Sequence, residues 1–199
     1  MSETSKRLLI ENYRRLFCQH GSGPAVGQWS PEGQQFRFEK LMEIADLRDR
    51  SVLDLGCGTG DLFPVLQHRF GRIAYTGIDI VPELIASARQ HHPGARFLCR
   101  DVATQDLAEI FDYVLISGMF NNAIPDGVTY LHEMTSLAFR HCALGMAFNF
   151  ISTHVNATDA ELAYHDPVAI LDFCLRHLSR KVTIEHHYER CDVVVFVYR

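Results

Sequence analysis

Hydrophobic positions along the chain recur with two different periods. Residues 4–20 and 34–47 place apolar side chains three and four positions apart, which is typical of amphipathic helices. From residue 51 onward, short apolar runs alternate with further segments of helical spacing. The runs predict strands over 51–55, 73–79, 95–99, 111–117, 143–151, 181–188 and 192–198. The helical segments between them predict helices over 61–68, 83–91, 128–141 and 167–178.

Strands that alternate with helices predict an α/β fold with a parallel sheet covered by helices on both faces. The last two strands are too close in sequence for a helical crossover, so we expect them to pair antiparallel or to be separated by another strand. Residues 1–50 are then an N-terminal helical cap, and residues 51–199 form the core of one compact domain.

Composition narrows the class of protein. The 199 residues carry 19 Lys and Arg against 24 Asp and Glu, a net charge of −5, and 47% of them are hydrophobic. This is a globular composition, and its mild acidity disfavours a general binder of nucleic-acid backbones. The sequence lacks the long apolar run that a signal peptide or a membrane-spanning helix requires, so neither is expected. Six cysteines without a CxxC pair favour a reduced, cytoplasmic setting.

A glycine-rich segment follows the first predicted strand. It reads Asp54-Leu55-Gly56-Cys57-Gly58-Thr59-Gly60-Asp61 and leads into a helix. A dinucleotide site would require glycine where Asp61 stands, and a Walker loop would require Gly-Lys-Ser/Thr. Because Asp54 and Asp61 would repel a phosphate, the loop suits a cationic or zwitterionic nucleoside.

Two more acids end the next two predicted strands, Asp79 in GIDI (77–80) and Asp101 in CRDV (99–102). An acid after the second strand of such sheets bonds ribose hydroxyls, and ligands bind at the carboxyl ends of the strands. A carboxylate beside a purine edge can accept from an exocyclic amine. Three acids therefore face one expected crevice.

VLDLGCGTGDL (52–62), GIDI and CRDV, in this order and spacing, resemble the class I S-adenosylmethionine-dependent methyltransferases. The resemblance covers about residues 50–199. It implies a doubly wound, seven-stranded Rossmann-like sheet with an antiparallel last strand. It also implies S-adenosyl-L-methionine as cofactor and S-adenosyl-L-homocysteine as product.

The resemblance assigns a role to each matching position. Gly56, Cys57, Gly58 and Gly60 would line the methionine part, and Asp54 would hold its amino group through the loop or a water. Asp79 would bond the ribose, while Ile80 would pack on the adenine. Asp101 and Val102 would meet the adenine edge, and Ser117 with Gly118 would flank the sulfonium.

The cap offers further candidates. Caps of small members of this family place an aromatic residue and an arginine over the cofactor, which suggests Trp29 at the substrate and Arg37 in a bidentate pair with the cofactor carboxylate. Packing for Trp29 and a solvent-facing helix position for Arg37 remain alternatives. Tyr13 could turn toward the site or pack between helices.

The acceptor pocket is expected beyond the fourth and fifth strands. The fourth strand lacks the Asn/Asp-Pro-Pro-aromatic motif of enzymes that methylate bases. Residues that would line a small-molecule pocket there are Met119, Asn121, Asn149 and Tyr164, with turn formation as the alternative for Asn121 and its neighbour. His154, His165 and Tyr13 are candidate general bases, although surface or hydrogen-bonding roles are common for histidine. The 11 histidines form no HExxH or i, i+4 pair, so no metal is predicted.

The sequence thus predicts a monomeric or homodimeric methyltransferase that acts on a small-molecule nitrogen, oxygen or carbon nucleophile by in-line displacement. Nucleic acid and membrane are not expected partners. Three alternatives stay open: a protein or RNA methyltransferase, a non-catalytic S-adenosylmethionine-binding module, and an enzyme that uses the cofactor for another reaction such as cyclisation.

Overall fold

A computed structural model describes residues 1–105, 107–186 and 192–199. Its six α-helices within this described part are α1 (Glu3–His20), α2 (Pro31–Leu41), α3 (Leu62–Phe70), α4 (Pro82–His91), α5 (Gly127–Arg140) and α6 (Pro167–His177). Its strands are β1 (Ser51–Leu55), β2 (Ala74–Asp79), β3 (Arg96–Cys99), β4 (Phe111–Ile116), β5 (Cys142–Ile151), β6 (Val182–Glu185) and β7 (Asp192–Tyr198). Short 3₁₀ turns occupy Pro24–Gly27 and Met42–Ile44.

The strands form one sheet in the order β3-β2-β1-β4-β5-β7-β6. Strands β1 to β5 pair parallel, whereas β7 runs antiparallel to both β5 and β6. The predicted seven-stranded Rossmann-like sheet with an antiparallel last strand is confirmed. Strands β6 and β7 are direct antiparallel neighbours, so the first of the two arrangements that the short link allowed is the one observed. Of the predicted strand 181–188, residues 187 and 188 lie outside the described part of the chain.

The second predicted helix begins earlier and ends earlier than its apolar pattern indicates. Ser30 caps α2, because its Oγ accepts a 3.0 Å hydrogen bond from the backbone N–H of Gly33, and Pro31 fits the first turn. After Leu41 the chain tightens into the 3₁₀ turn at Met42–Ile44. This cap explains why α2 begins about three residues before the predicted start at residue 34.

Apolar side chains fill both faces of the sheet. Leu53, Val114 and Phe148 point toward α5 and α6, whereas Val52, Leu115 and Ala147 point toward α2 and α3. Neighbouring residues on a strand face opposite sides, so each strand contributes to two cores. The central strands are therefore rigid, and their carboxyl ends hold the site residues in fixed positions.

Helix α1 crosses the carboxyl edge of the sheet and is tied to it at several points. Lys6 pairs with Asp101 at 2.8 Å, and Arg14 pairs with Glu83 of α4 at 2.9 Å. Ser5 donates to Asp126, which precedes α5. These contacts fix α1 above the ends of β2 and β3. None of the helices in the described ranges has the length and apolarity needed to span a membrane.

Candidate active site

One cavity opens at the carboxyl ends of β1, β2 and β4, beneath α1 and the segment that leads into α2. Its empty space, with the open solvent at its mouth included, is about 1190 Å³. Many of its lining residues are candidates that the sequence predicts. Those are Tyr13, Trp29, Asp54, Gly56, Cys57, Gly58, Asp79, Ile80, Asp101, Val102, Ser117 and Met119.

The glycine loop holds its shape through positive backbone angles and one shared acceptor. Gly58 has φ +55° and Gly60 has φ +82°, a region that favours glycine. The N–H groups of Gly56 and Cys57 both donate to the carbonyl of Ile78 on β2. A Cβ at Gly60 would lie 2.7 Å from the Phe97 ring, so Gly60 packs against the core instead of lining the cavity.

Asp79 ends β2 and is held by two backbone donors. The N–H of Gly58 donates to its Oδ2 and the N–H of Val81 to its Oδ1, both at 2.9 Å. Burial raises the pKa of the Asp79 carboxyl, and these donors offset part of that rise. The carboxylate therefore links the glycine loop to the start of α4 and keeps further lone pairs for a ligand hydroxyl.

Asp54 lies deeper, at the end of β1, with 2% of its surface exposed. Burial raises its pKa to about 7, opposed by a hydrogen bond from Tyr75 and reinforced by Asp79 and Asp61. A carboxyl with this pKa is partly protonated at neutral pH. A bound cation would favour its ionised form.

Asp101 receives a partner from the cap. Lys6 Nζ lies 2.8 Å from its Oδ2, and the N–H of Ala103 donates to its Oδ1 at 3.0 Å. Burial alone would raise the pKa of Asp101, but the bonds from Lys6 and Ala103 hold it below its usual value. A ligand at this edge meets an ionised acid that is already paired.

Arg37 does not occupy the predicted position. Its Nε donates to Oδ1 of Asp192 at 3.0 Å, and its guanidinium carbon lies 3.6 Å from the centre of the Trp29 ring. Arg37 does not line the cavity. The carboxylate that pairs with Arg37 is thus Asp192 of β7. The Arg37 guanidinium packs against the ring of Trp29, and Trp29 lines the cavity.

The two asparagines proposed for the acceptor lie behind the lining. Asn149 Oδ1 accepts a 2.8 Å hydrogen bond from the N–H of Gly118, which positions the turn after β4. Asn121 is 3% exposed, and its side-chain amide makes no hydrogen bond within the described residues. Neither amide lines the cavity.

Neither candidate histidine is positioned as a general base. His165 is 4% exposed, and its Nε2 lies 3.1 Å from the Phe120 carbonyl; burial lowers its pKa. His154 is exposed, with its ring 6.0 Å from that of His186. Tyr164 accepts a hydrogen bond from the N–H of Asp159 and also lies outside the lining. His187 is outside the described residues.

Sequence reasoning missed several lining residues of the helices. Lys6 and Leu9 share one face of α1 with Tyr13, and Tyr130 and Met134 share one face of α5. Gln34 and Phe38 of α2 also reach the cavity. Helical spacing within α1 was the available signal, since positions 6, 9 and 13 fall on one side.

The assembled groups fit S-adenosylmethionine. The lining carries the acids Asp54, Asp61, Asp79 and Asp101, which suit a sulfonium, an ammonium and ribose hydroxyls. Ile80 and Val102 offer apolar surface for a purine at the same end as Asp101. The chemistry of this set matches a cationic nucleoside and would repel a phosphate.

Comparison with known proteins agrees with this chemistry. Residues 52–140 match the methyltransferase domain family. A Mycobacterium tuberculosis protein named as a methyltransferase is 31% identical over 166 residues, which cover 78% of this chain and 98% of that protein. Trans-aconitate 2-methyltransferase of Delftia acidovorans is 41% identical over 66 residues, 33% of this chain and only 25% of that enzyme.

The fold also has solved counterparts. The magnesium protoporphyrin IX methyltransferase of Synechocystis, solved with bound S-adenosylmethionine, superposes with a TM-score of 0.66 at 17% identity, over 95% of this chain and 90% of that one. At this identity the likeness concerns the fold. The match along nearly the whole of the mycobacterial relative, together with the cavity, shows that the chain belongs to the class I S-adenosylmethionine-dependent methyltransferases.

Proposed function

We propose that this enzyme methylates a small-molecule acceptor. The observation that carries the proposal is the cover over the cavity. Helix α1 is tied to the sheet edge through Lys6, Ser5 and Arg14, and Tyr13 and Trp29 close the cavity from the cap side. A site covered by the cap suits a small molecule better than a folded protein or an RNA helix.

Positioning would supply most of the rate. Bound S-adenosylmethionine supplies a methyl group on a positively charged sulfur. Asp79 and Asp54 would fix the ribose and the amino group, and the glycine loop would set the depth of the methionine part. Tyr13, Trp29 and Met119 would exclude water, so that acceptor and methyl group are held in line.

The lining also bears on the kind of nucleophile. Histidine and glutamate are absent from the lining in the described part of the chain, and burial raises the pKa of the Cys57 thiol well above its usual value. The lining acids would face the cofactor. We therefore propose an acceptor whose attacking atom already carries a free lone pair at neutral pH, such as a carboxylate. The relative named for trans-aconitate supports small carboxylic acids as the first class to test.

The test is transfer of a labelled methyl group. Purified protein is incubated with methyl-tritiated S-adenosylmethionine and matched panels of small carboxylic acids, amines, phenols, thiols, peptides and RNA. We expect labelled product with a small carboxylic acid and none when Asp79 is replaced in Asp79→Ala. Label in peptide or RNA would contradict the small-molecule assignment, and label in amines alone would contradict the carboxylate class.

A further inference from the structure

A chain of four polar side chains ends on the tyrosine that faces the cavity. Arg15 Nη2 donates to Asn12 Oδ1 at 2.7 Å, and Asn12 Nδ2 donates to Asn122 Oδ1 at 3.1 Å. Asn122 Nδ2 then donates to the Tyr13 hydroxyl at 2.8 Å. A second donor, Gln28 Nε2, reaches Asn122 Oδ1 at 3.1 Å. We call this set the Asn122 relay.

The relay fixes the direction of each hydrogen bond in it. A guanidinium can only donate, so Arg15 requires the carbonyl oxygen of Asn12 and turns the Asn12 amide nitrogen toward Asn122. Two amide donors then require the Asn122 oxygen, which turns the Asn122 nitrogen toward Tyr13. The Tyr13 oxygen must therefore accept, and its own hydrogen is free for another partner.

A ligand in the cavity can accept a hydrogen bond from the Tyr13 hydroxyl. Tyr13 lines the cavity and makes no second hydrogen bond to any described residue. Burial raises the pKa of Tyr13 to about 12; the Asp79 carboxylate adds to this rise and the Asn122 bond offsets part of it. The hydroxyl is thus protonated at neutral pH and presents a donor, not a base.

The surroundings of Tyr13 indicate the ribose end of the cavity. Tyr13 packs against the small apolar cluster of Val26, Val81 and Leu84, and Ile80 packs against the same cluster. Ile80 and Val81 directly follow Asp79. Asp79 is close enough to influence the hydroxyl electrostatically. A ribose offers hydroxyl donors to Asp79 and oxygen acceptors to a neighbouring donor, so the two side chains have complementary roles.

We propose that the Tyr13 hydroxyl, directed by Asn122, donates a hydrogen bond to a ribose oxygen of the cofactor, so that Asp79 holds the sugar from the sheet and Tyr13 from the cap helix. Tyr13 is then a cofactor-binding residue of the cap, and Asn122 is a positioning residue that acts through it. The inference requires cofactor binding alone and does not depend on which acceptor is methylated.

Calorimetric titration with two ligands tests the assignment. S-adenosylhomocysteine carries the amino-acid part, whereas 5′-methylthioadenosine keeps the ribose and adenine without it. Tyr13→Phe should weaken both ligands by the same factor, roughly three- to ten-fold for one hydrogen bond. Tyr198→Phe is the matched control, because the Tyr198 hydroxyl donates to Ile44, a residue outside the cavity lining.

Other outcomes overturn the proposal. If Tyr13→Phe loses affinity for S-adenosylhomocysteine alone, the Tyr13 hydroxyl contacts the amino-acid part and not the ribose. If the affinities for both ligands are unchanged, the hydroxyl does not contact the cofactor. Thermal unfolding of each variant verifies that the protein is folded.

Asn122→Asp provides a second, nearly isosteric test of the positioning role. The new carboxylate oxygen would accept from Tyr13 and draw its hydrogen away from the cavity. We expect affinity for uncharged 5′-methylthioadenosine to fall as in Tyr13→Phe, and the double variant to lose no more than either single one. Independent, additive losses would overturn the relay.

Discussion

The hydroxyl of Tyr75 donates a 2.6 Å hydrogen bond to Oδ2 of Asp54, and both side chains are buried in the sheet. Tyr75 lies on β2 and Asp54 at the end of the neighbouring β1. The bond favours the ionised carboxylate, while burial and the nearby Asp79 and Asp61 favour the protonated one. The balance gives Asp54 a pKa of about 7. The charge of the site therefore changes across neutral pH.

We expect affinity for S-adenosylmethionine to rise with pH through about pH 7, because a bound cation favours ionised Asp54. Calorimetry from pH 5.5 to 8.5 in buffers of different ionisation enthalpy would detect the released proton. The amino group of the cofactor also titrates in this range, so Asp54→Asn serves as the reference, and the difference between the two proteins isolates Asp54.

Tyr75→Phe sharpens the same measurement. Without the hydroxyl, the pKa of Asp54 should rise, and the increase in affinity should move to higher pH. An unchanged midpoint would show that Tyr75 does not control the ionisation of Asp54.

The raised pKa of Asp54 also predicts how the stability of the ligand-free protein varies with pH. The folded state holds this proton more tightly than the unfolded state, whose pKa is near the ordinary 3.8. The contribution is therefore complete below about pH 4 and is lost as pH rises toward 7. The effect of Asp54→Asn on the free energy of unfolding of the ligand-free protein should therefore be more favourable at pH 8 than at pH 4. The difference between the two pH values should be at most about 4 kcal/mol. Urea unfolding at the two pH values measures this, and a larger gain at pH 4 would contradict it.

The convergence of the candidate cofactor residues on one cavity was predictable, because each of them is close in sequence to a strand end. β1 was placed at 51–55, where the structure has it, since an apolar run meets a glycine loop there. The ends of parallel strands converge at one edge, so Asp54, Asp79 and Asp101 came together as expected.

The cap side was not predictable from local pattern. Arg37 finds Asp192 across 155 positions, because β7 inserts between β5 and β6 and brings its first residue to α2. Helical spacing alone allows an arginine of α2 to face either a ligand or a neighbouring strand. Arg37 faces the strand, because its partner Asp192 is distant in sequence and cannot be identified from the local pattern. The sequence likewise places His165 in a polar loop. In the structure a β-bridge between Ser152 and His165 holds this histidine in the core, where its ring packs against Phe150.

Gly60 should be the less replaceable of two loop glycines. Gly60→Ala combines a positive φ with a Cβ 2.7 Å from Phe97, whereas the Cβ of Gly58→Ala meets no atom within 4 Å. We expect Gly58→Ala to cost about 1–2 kcal/mol from backbone strain alone. Gly60→Ala should cost more, because it also forces the Phe97 ring to move. Urea unfolding of the ligand-free variants compares them, and equal losses would show that Phe97 yields freely.

Arg37 and Asp192 form a buried ion pair whose side chains are 10% and 3% exposed. Arg37→Gln removes the buried guanidinium that Asp192 pairs with and should destabilise the fold by about 3–5 kcal/mol. The matched control is Arg72→Gln, which breaks an exposed pair with Asp49 (85% and 53% exposed) and should cost no more than about 1 kcal/mol. Because Arg37 lies outside the cavity lining, Arg37→Gln should change affinity for S-adenosylhomocysteine and for 5′-methylthioadenosine by the same factor. If Arg37→Gln weakens the affinity for S-adenosylhomocysteine alone, Arg37 instead binds the cofactor carboxylate, as the sequence predicts.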